Sequence, residues 1–221
     1  MIEFEKVCVK EKEKLILEEI TFTVEEMGKT AIYGKSGSGK STVLTTILGV
    51  YKPCRGRVLF DGEEVNIQTI QKVREQVSYI GQEPFMGAET VKEALYLPFT
   101  FKANQKNKPD DETVAKTLHL LQLDESIIKQ DSAVISGGEK QRIAIARALL
   151  QGKRVFVLDE ITSALDPESK RAVLDLFTDS QFTFLSVSHD SAWYDICQKF
   201  IQLEEGRIVY QGIKPKAIPI S

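Results

Sequence analysis

The chain has 221 residues, of which 42% are hydrophobic, and a formal net charge of −3 at pH 7. This length and composition suffice for one full hydrophobic core with an inserted lobe. The slight negative charge argues against general binding to nucleic acid or anionic membranes, and no stretch approaches the roughly 18 apolar residues of a membrane span. No signal-peptide pattern opens the chain, and its three cysteines lack metal-ligand spacing. We therefore expect a soluble, intracellular protein with reduced, mostly buried cysteines and no nucleic-acid partner.

Strand-like runs and turns alternate in the first part of the chain, residues 1–84. The predicted strands there are 2–9, 16–24, 29–33, 57–60 and 77–80, with a charged tip at 10–14 and a helix at 42–48. Helical patterns follow at 90–97, 111–123 and 138–150, the second of them opened by acidic capping residues. Strands return at 154–158, 183–187 and 200–203, alternating with helices at 167–177 and 190–199.

The alternation of strands and helices near the C-terminus predicts an α/β fold with a mostly parallel sheet. The N-terminal strands are predicted to be antiparallel, and a helical subdomain is inserted into the core. We place the α/β core in residues 1–84 and 154–221, and the helical subdomain in 85–153.

Residues 34–41 match the phosphate-binding pattern G-x-x-x-x-G-K-[ST] between a predicted strand and a predicted helix. In that context, backbone N–H groups and the positive end of the helix dipole surround a polyphosphate. Lys40 is expected to reach the β- and γ-phosphates, and Ser41 to bind Mg²⁺. The predicted nucleotide-binding residues here are Gly34, Lys35, Ser36, Gly37, Ser38, Gly39, Lys40, Ser41 and Thr42.

Two carboxylates, Asp159 and Glu160, end a buried strand at the sheet edge where ligands of α/β proteins collect. Charges at the end of an apolar run are costly unless they meet a cation or a positive loop. Asp159 is suited to hold Mg²⁺, and Glu160 to polarise an attacking water. A further anion site is predicted where Ser136, Gly137, Gly138 and Glu139 open the helix 138–150, although such a sequence is more often a simple helix cap.

Taken together, these motifs resemble the ATP-binding subunits of ABC transporters over nearly the whole chain. The matching motifs are the Walker A loop (34–41), the Q-loop glutamine Gln82, the signature (135–139), Walker B with its glutamate (155–160), the D-loop (163–166) and the switch histidine His189. The resemblance implies an ABC-type P-loop fold, ATP hydrolysis with ATP and Mg²⁺ as cofactors, and a helical signature subdomain. The second histidine, His119, has no motif around it and is expected to be structural or exposed.

The resemblance also implies a head-to-tail dimer that forms around two ATP molecules. Each ATP would lie between the Walker A loop of one copy and Ser136 and Gly138 of the other, with Asp166 nearby. Gln82 would complete the Mg²⁺ shell formed with Ser41 and Asp159, and would sense an integral membrane permease. His189 would contact the γ-phosphate and the attacking water. The chain would then be cytoplasmic and lie peripherally on the inner face of the cell membrane.

The chain departs from the family pattern in three places. Ile161 stands where most relatives have proline, and the signature begins with Ile135 and ends with Glu139 in place of leucine and glutamine. The loop that normally offers an aromatic ring to adenine, residues 7–14, contains none. We therefore expect modest ATP affinity and appreciable GTP hydrolysis, unless a partner chain or a lysine stem covers the base.

A narrower resemblance, to the ATPases of the iron-export group of ABC systems, rests on residues 158–166, 136–142 and 97–99. The motifs of an ATPase subunit specify neither the transported substrate nor the direction of transport. Alternatives to a transport subunit are a soluble non-transport ABC-type ATPase and a nucleotide-dependent regulator. The apolar segments 83–86 and 95–101 form either the core of the helical subdomain or a groove for the membrane partner.

Overall fold

The computed structural model describes residues 1–179 and 181–215. The elements in chain order are β1 (Ile2–Glu11), β2 (Lys14–Val24), β3 (Lys29–Tyr33), α1 (Lys40–Ile47), β4 (Arg55–Phe60), β5 (Glu63–Glu64), α2 (Ile70–Gln76), β6 (Val77–Ile80), α3 (Val91–Tyr96), α4 (Asp111–Leu120), α5 (Gly137–Leu150), β7 (Val155–Asp159), α6 (Pro167–Asp179), β8 (Thr183–Val187), α7 (Ser191–Asp195), β9 (Lys199–Glu204) and β10 (Arg207–Gly212). Short 3₁₀ helices lie at Leu97–Thr100, Gln105–Asn107 and Glu125–Lys129.

The chain forms two compact units. The first comprises Met1–Ser78, Arg154–Glu160 and the described residues from 181 onward, and the second comprises Tyr79–Lys153 and 161–179. This division differs from the domain boundaries expected from the sequence, because residues 79–84 and 161–179 join the helical unit. Residues 180 and 216–221, which the prediction assigned to the core, lie outside the described residues.

Two sheets build the first unit. One is antiparallel with the strand order β2-β1-β4-β5, and the other has the order β10-β9-β3-β8-β7-β6. In the larger sheet β3 pairs in parallel with β8 and β9, and β7 with β8, whereas β10 is antiparallel to β9. The predicted fold class, a mostly parallel core with antiparallel N-terminal strands, is confirmed.

The core of the first unit fixes the edge at which the predicted site lies. Every residue of β3 and of β8 is buried, as expected for central parallel strands. Their apolar side chains pack with those of α1 and of both sheets, and each fully buried Ile, Leu or Phe contributes about 1.5–3 kcal/mol. Because β3, β7 and β8 run in parallel, the phosphate loop, Glu160 and His189 all follow strand ends at one edge.

Helices dominate the second unit, and their first turns are capped by side chains. Thr90 and Glu93 form a capping box at the start of α3. Asp110 accepts a hydrogen bond of 2.8 Å from the Thr113 N–H, which confirms the acidic cap predicted for α4. α4 ends at Leu120, three residues earlier than predicted, because the N–H groups of Leu121 and Leu123 both turn back to the Leu118 carbonyl.

The largest difference from the predicted elements concerns residues 190–199. Only Ser191–Asp195 is helical, because the Gln198 N–H donates to the Lys29 carbonyl at 2.8 Å and Lys199 already begins β9. The elements β5, α2 and β10 were not predicted; α2 buries only Val73, so its sequence carries little helical periodicity.

Two further expectations concern burial and the membrane. Cys8 and Cys197 are buried, as expected, whereas Cys54 is exposed. Within residues 1–179 and 181–215, no helix combines the length and the apolar character needed to cross a bilayer.

Candidate nucleotide-binding site

The phosphate loop leaves β3 and enters α1 through glycines that other residues could not replace. Gly34 has φ +144, and a Cβ there would lie 2.1 Å from the Leu203 carbonyl oxygen. Gly39 is the left-handed N-cap of α1 (φ +100), where a Cβ would lie 2.7 Å from Leu17 Cδ2. The first N–H groups of a helix have no intrahelical partner, so the loop directs backbone donors and a dipole toward a bound anion.

Lys40 is held inside this loop. Its ammonium donates to the carbonyl oxygens of Gly34 at 2.7 Å and Lys35 at 3.0 Å, and the residue is only 8% exposed. Burial lowers the pKa of Lys40, while the nearby carboxylates of Glu160 and Asp159 act in the opposite direction. The loop therefore places a partly desolvated cation where it can meet the charge of a phosphate.

Ser41 and Asp159 bring together the oxygen ligands that Mg²⁺ prefers. Asp159 ends β7, is 7% exposed and accepts a hydrogen bond from the Ser41 hydroxyl. Burial raises the pKa of the Asp159 carboxyl, the Ser41 hydrogen bond lowers it, Glu160 raises it and Lys40 lowers it. A hydroxyl and a carboxylate side by side at the phosphate loop fit a hydrated Mg²⁺, which is held by one or two protein oxygens and phosphate.

Glu160 and His189 form the next layer of the site. The Glu160 N–H donates to the Val187 carbonyl at 2.9 Å, and the residue adopts a left-handed backbone with φ +50. Such a conformation costs a non-glycine residue about 1–3 kcal/mol and is concentrated at functional sites. His189 Nε2 lies 3.5 Å from Glu160 Oε1, and both side chains are partly exposed. Because the two groups lie side by side, one water beside them could contact the carboxylate and the imidazole at the same time.

The signature segment in the second unit forms a helix start with a complete capping box. The Ser136 N–H and hydroxyl donate to Glu139 Oε2 at 2.8 and 2.7 Å, and the Glu139 N–H returns a bond to the Ser136 hydroxyl. These hydrogen bonds lower the pKa of Glu139. Glu139 is therefore engaged in capping α5, and its predicted role at ATP stays a prediction alongside those of Ser136, Gly137 and Gly138.

Asp166 has a comparable structural task at the start of α6. Its carboxylate accepts the N–H groups of Glu168 and Ser169, both at 3.0 Å, and the Ser169 hydroxyl at 2.5 Å. The Ser169 hydroxyl and N–H bonds chiefly lower its pKa. Gly138 is close to this segment, since a Cβ there would lie 3.1 Å from the Ala164 carbonyl. The D-loop and the signature helix are thus neighbours within the helical unit.

Gln82 is exposed in the segment after β6, and two residues of α5 hold the backbone on either side of it. Gln141 donates to the Gly81 carbonyl at 3.3 Å. Arg147 donates to the carbonyls of Phe85 and Met86 at 2.8 and 2.9 Å, and burial lowers its pKa. Neither side chain was predicted from the sequence; the available signal was an arginine in the apolar run 143–150, since a partly buried cation requires partners.

The predicted site residues therefore fall into two sets. The first unit contains Gly34, Lys35, Ser36, Gly37, Ser38, Gly39, Lys40, Ser41, Thr42, Asp159, Glu160 and His189, and the second contains Gln82, Ser136, Gly137, Gly138, Glu139 and Asp166. Within the first set, the side chains of Lys40, Ser41 and Asp159 lie together, as do Glu160 and His189. The segment expected to carry the adenine-stacking ring, residues 7–14, forms the end of the β1–β2 hairpin, with Glu11 paired to Lys14.

The sequence profile of the ABC transporter family matches residues 17–163. The mycobactin import ATP-binding/permease protein IrtB of Mycolicibacterium thermoresistibile is 34% identical over 221 residues, 96% of this chain but only 37% of the relative. The chain thus spans little more than a third of that protein. The energy-coupling factor transporter ATP-binding protein EcfA1 of Ligilactobacillus salivarius is 32% identical over 93% of this chain and 74% of the relative.

The structural comparison agrees with the sequence matches. The ATP-binding cassette MJ0796, solved as a dimer in a post-hydrolysis state with ADP and phosphate, superposes with a TM-score of 0.85 at 26% identity, covering 98% of this chain and all of that one. The fold, the phosphate loop with its neighbouring carboxylates, and the family match lead to one assignment. The chain belongs to the ABC transporter family and carries its ATP-binding, ATP-hydrolysing domain.

Proposed function

We propose that this chain is the ATPase subunit of a transporter and drives a separate membrane-spanning partner. The observation that carries the proposal is the group of side chains at one sheet edge, where Glu160 Oε1 lies 3.5 Å from His189 Nε2 and Lys40 lies inside the phosphate loop. A regulator that only binds nucleotide has no use for a carboxylate and an imidazole placed to hold a water.

The proposed chemistry assigns one task to each group. The loop N–H groups and Lys40 bind the β- and γ-phosphates, and Glu160 orients the attacking water and withdraws its proton. His189 donates a hydrogen bond to the γ-phosphate. Mg²⁺, held by Ser41 and Asp159, would neutralise charge on the phosphates. The role of Gln82 as a further ligand stays a prediction of the family resemblance.

Assembly is the second part of the proposal. Two copies would pack head to tail, so that Ser136 and Gly138 of one copy complete the ATP site of the other. The MJ0796 cassette, described as dimeric, supports the association of two copies. The partner would be an integral membrane permease, which agrees with the ATP-binding/permease description of IrtB. The chain would then act on the cytoplasmic face of the membrane.

The third part of the proposal concerns the transported substrate. Residues 158–166 and 136–142 resemble the iron-export group, so export of a metal, with iron first, is the substrate class to test. The relative IrtB is named as a mycobactin importer. Its transport direction is therefore opposite to the export proposed here. Metal efflux by vesicles that contain the complex would decide both cargo and direction.

The catalytic assignment is tested by Glu160→Gln, with the exposed Glu26→Gln as the matched control. Loss of the base should reduce ATP hydrolysis about 10²–10⁴-fold while ATP still binds, since the phosphate loop is intact. Lys40→Ala should instead weaken nucleotide binding itself. Steady-state hydrolysis and calorimetric ATP binding measure the two effects. Hydrolysis at the wild-type rate by the Glu160 variant would refute the assignment, and a wild-type chain that binds ATP without hydrolysing it would favour a regulator.

A further inference from the structure

Tyr194 is a buried residue that contacts the residue before the phosphate loop and the residue before His189. It lies on α7, is 3% exposed, and its hydroxyl donates to the Ser188 carbonyl, directly before His189. Its ring packs edge-on against Tyr33, at 6.3 Å between ring centroids, and against Phe200 at 5.8 Å. Tyr33 directly precedes Gly34, so one aromatic side chain contacts the strand that carries the phosphate loop and the loop that carries the histidine.

The backbone around His189 is held on both sides by bonds to α7. The Asp190 N–H donates to the Ser188 hydroxyl oxygen at 3.1 Å, and the Asp190 carboxylate caps α7 by accepting the Ala192 N–H at 3.0 Å. The Tyr194 N–H returns to the Asp190 carbonyl at 3.2 Å. Ser188 and Asp190 are therefore both tied to the short helix on which Tyr194 lies.

We propose that Tyr194 is a positioning residue that sets the orientation of His189 toward Glu160 and the γ-phosphate. The proposal rests on the catalytic role of His189 proposed above. Without the hydroxyl, the buried Ser188 carbonyl loses its donor, and the peptide that leads into His189 loses one of the bonds that fix its orientation. Burial raises the pKa of Tyr194, so the hydroxyl stays protonated and remains a donor at working pH.

Kinetics of Tyr194→Phe give the first test. The variant keeps the ring and its edge-on contacts and removes only the hydroxyl. We expect kcat to fall about ten- to hundredfold with the KM for ATP unchanged, since the phosphate loop is not altered. Tyr210→Phe is the matched control, because the Tyr210 hydroxyl also donates to a backbone carbonyl, that of Ile213, but Tyr210 is only half-buried on the edge strand β10. Equal kcat values for the two variants would contradict the proposal.

Histidine NMR gives a second readout that does not depend on activity. The chain has two histidines, and His119, which lies on α4 3.2 Å from Glu125, is an internal reference. In Tyr194→Phe the imidazole resonances of His189 should shift while those of His119 stay in place. Unchanged His189 resonances would overturn the proposal.

A second variant tests the proposal in case Tyr194→Phe does not fold. Ser188→Ala removes the hydroxyl that accepts the Asp190 N–H and should also shift the His189 resonances and lower kcat. Fluorescence of Trp193, the single tryptophan, and a thermal melt report whether each variant is folded. If His189→Ala hydrolyses ATP normally while Tyr194→Phe still shifts the His189 resonances, the catalytic role of His189 fails and the positioning by Tyr194 stands.

Discussion

At the scale of single residues, Asp159 shows how a functional group and the stability of the fold oppose each other. Its carboxyl is buried at the end of β7, and burial holds its pKa above the usual value. The folded state thus binds a proton more tightly than the unfolded chain, so the ionised carboxylate lowers the free energy of unfolding at neutral pH. This cost is absent at pH below the ordinary carboxyl pKa, and it grows as pH rises through the raised value.

Asp159→Asn should therefore be more stable than the wild type at pH 7, because the amide removes the buried charge and can still accept from Ser41. The gain in Tm should shrink as the pH falls toward about 4, where the wild-type carboxyl is protonated. Hydrolysis should fall about 10²–10³-fold because charge stabilisation at the phosphates is lost. Thermal melts across pH measure the effect, with the exposed Asp175→Asn as the control. A variant less stable than the wild type at pH 7 would refute this reasoning.

The hairpin end at residues 7–14 is the segment that the family resemblance predicts to face the base. It carries no aromatic residue, and an aromatic stack is worth about 0.5–1.5 kcal/mol beyond its buried area. The phosphate loop binds any nucleoside triphosphate, so we expect GTP to be hydrolysed appreciably beside ATP. Glu11→Tyr should tighten ATP binding about two- to tenfold, whereas Glu26→Tyr should not.

Measuring hydrolysis of ATP and GTP side by side tests whether the base is recognised without an aromatic ring. A preference for ATP above about a hundredfold, or about 2.7 kcal/mol, would mean that other groups read the base. A lysine stem within Lys10–Lys14 would be the first candidate, since those side chains lie at the same exposed turn.

At the scale of elements, the apolar segments of the helical unit divide into core and surface. Met86, Leu95 and Phe99 are buried, whereas Phe85 is 80% and Phe101 63% exposed. The core alternative drawn from the sequence therefore holds for the buried residues, whereas the groove for a membrane partner stays a prediction for the exposed ones. Arg147 holds the Phe85 carbonyl, so the exposed ring projects from a fixed backbone in the segment that follows Gln82.

Phe85→Ala should leave the thermal stability of the isolated chain nearly unchanged, because the ring buries little area. It should weaken the coupling of ATP hydrolysis to transport in the complex with the permease. Phe99→Ala is the matched comparison: the ring is buried, and its loss should destabilise the fold by about 3–5 kcal/mol. Thermal melts and transport by reconstituted complexes separate the two roles. A drop of several degrees in the Tm of Phe85→Ala would instead indicate a core residue.

Elements that are specified by a contiguous sequence motif could be predicted, whereas those fixed by contacts between distant residues could not. The phosphate loop was predictable because its glycines and Lys40 form a contiguous pattern that only one geometry satisfies. The extent of the helix after His189 was not, because its end is fixed by pairing of β9 with β3, a contact between residues far apart in sequence. The tether from Arg147 to the Phe85 carbonyl is likewise a long-range contact.

The roles of Glu139 and Asp166 could not be decided from the sequence, because both also fit a helix cap. The residue types at Glu139 and Asp166 are expected in a nucleotide-binding motif and in a helix cap alike. The structure shows their carboxylates in caps, with Ser136 and Ser169 as partners. Their proximity to ATP stays a prediction, because that contact would come from a second copy.

At the scale of the whole molecule, charge and polarity bear on the proposed association of two copies. Each copy carries a net charge of −3, so two copies repel weakly at low ionic strength. The proposed interface joins the phosphate loop of one copy to the N-terminus of α5 in the other, and both lie at helix N-termini, whose dipole favours an anion. The phosphates of ATP would supply the negative charge that both faces require.

We therefore expect the chain to be mainly monomeric without nucleotide and to dimerise when Glu160→Gln binds ATP without hydrolysing it. Light scattering should then rise from 24.8 kDa toward twice that mass. Adding Lys40→Ala to Glu160→Gln should keep the protein monomeric with ATP, because the phosphates are no longer held. ADP should also fail to join two copies, because it lacks the γ-phosphate that would reach Ser136 and Gly138 of the second copy. A stable dimer that is indifferent to ATP would show that association relies on another surface.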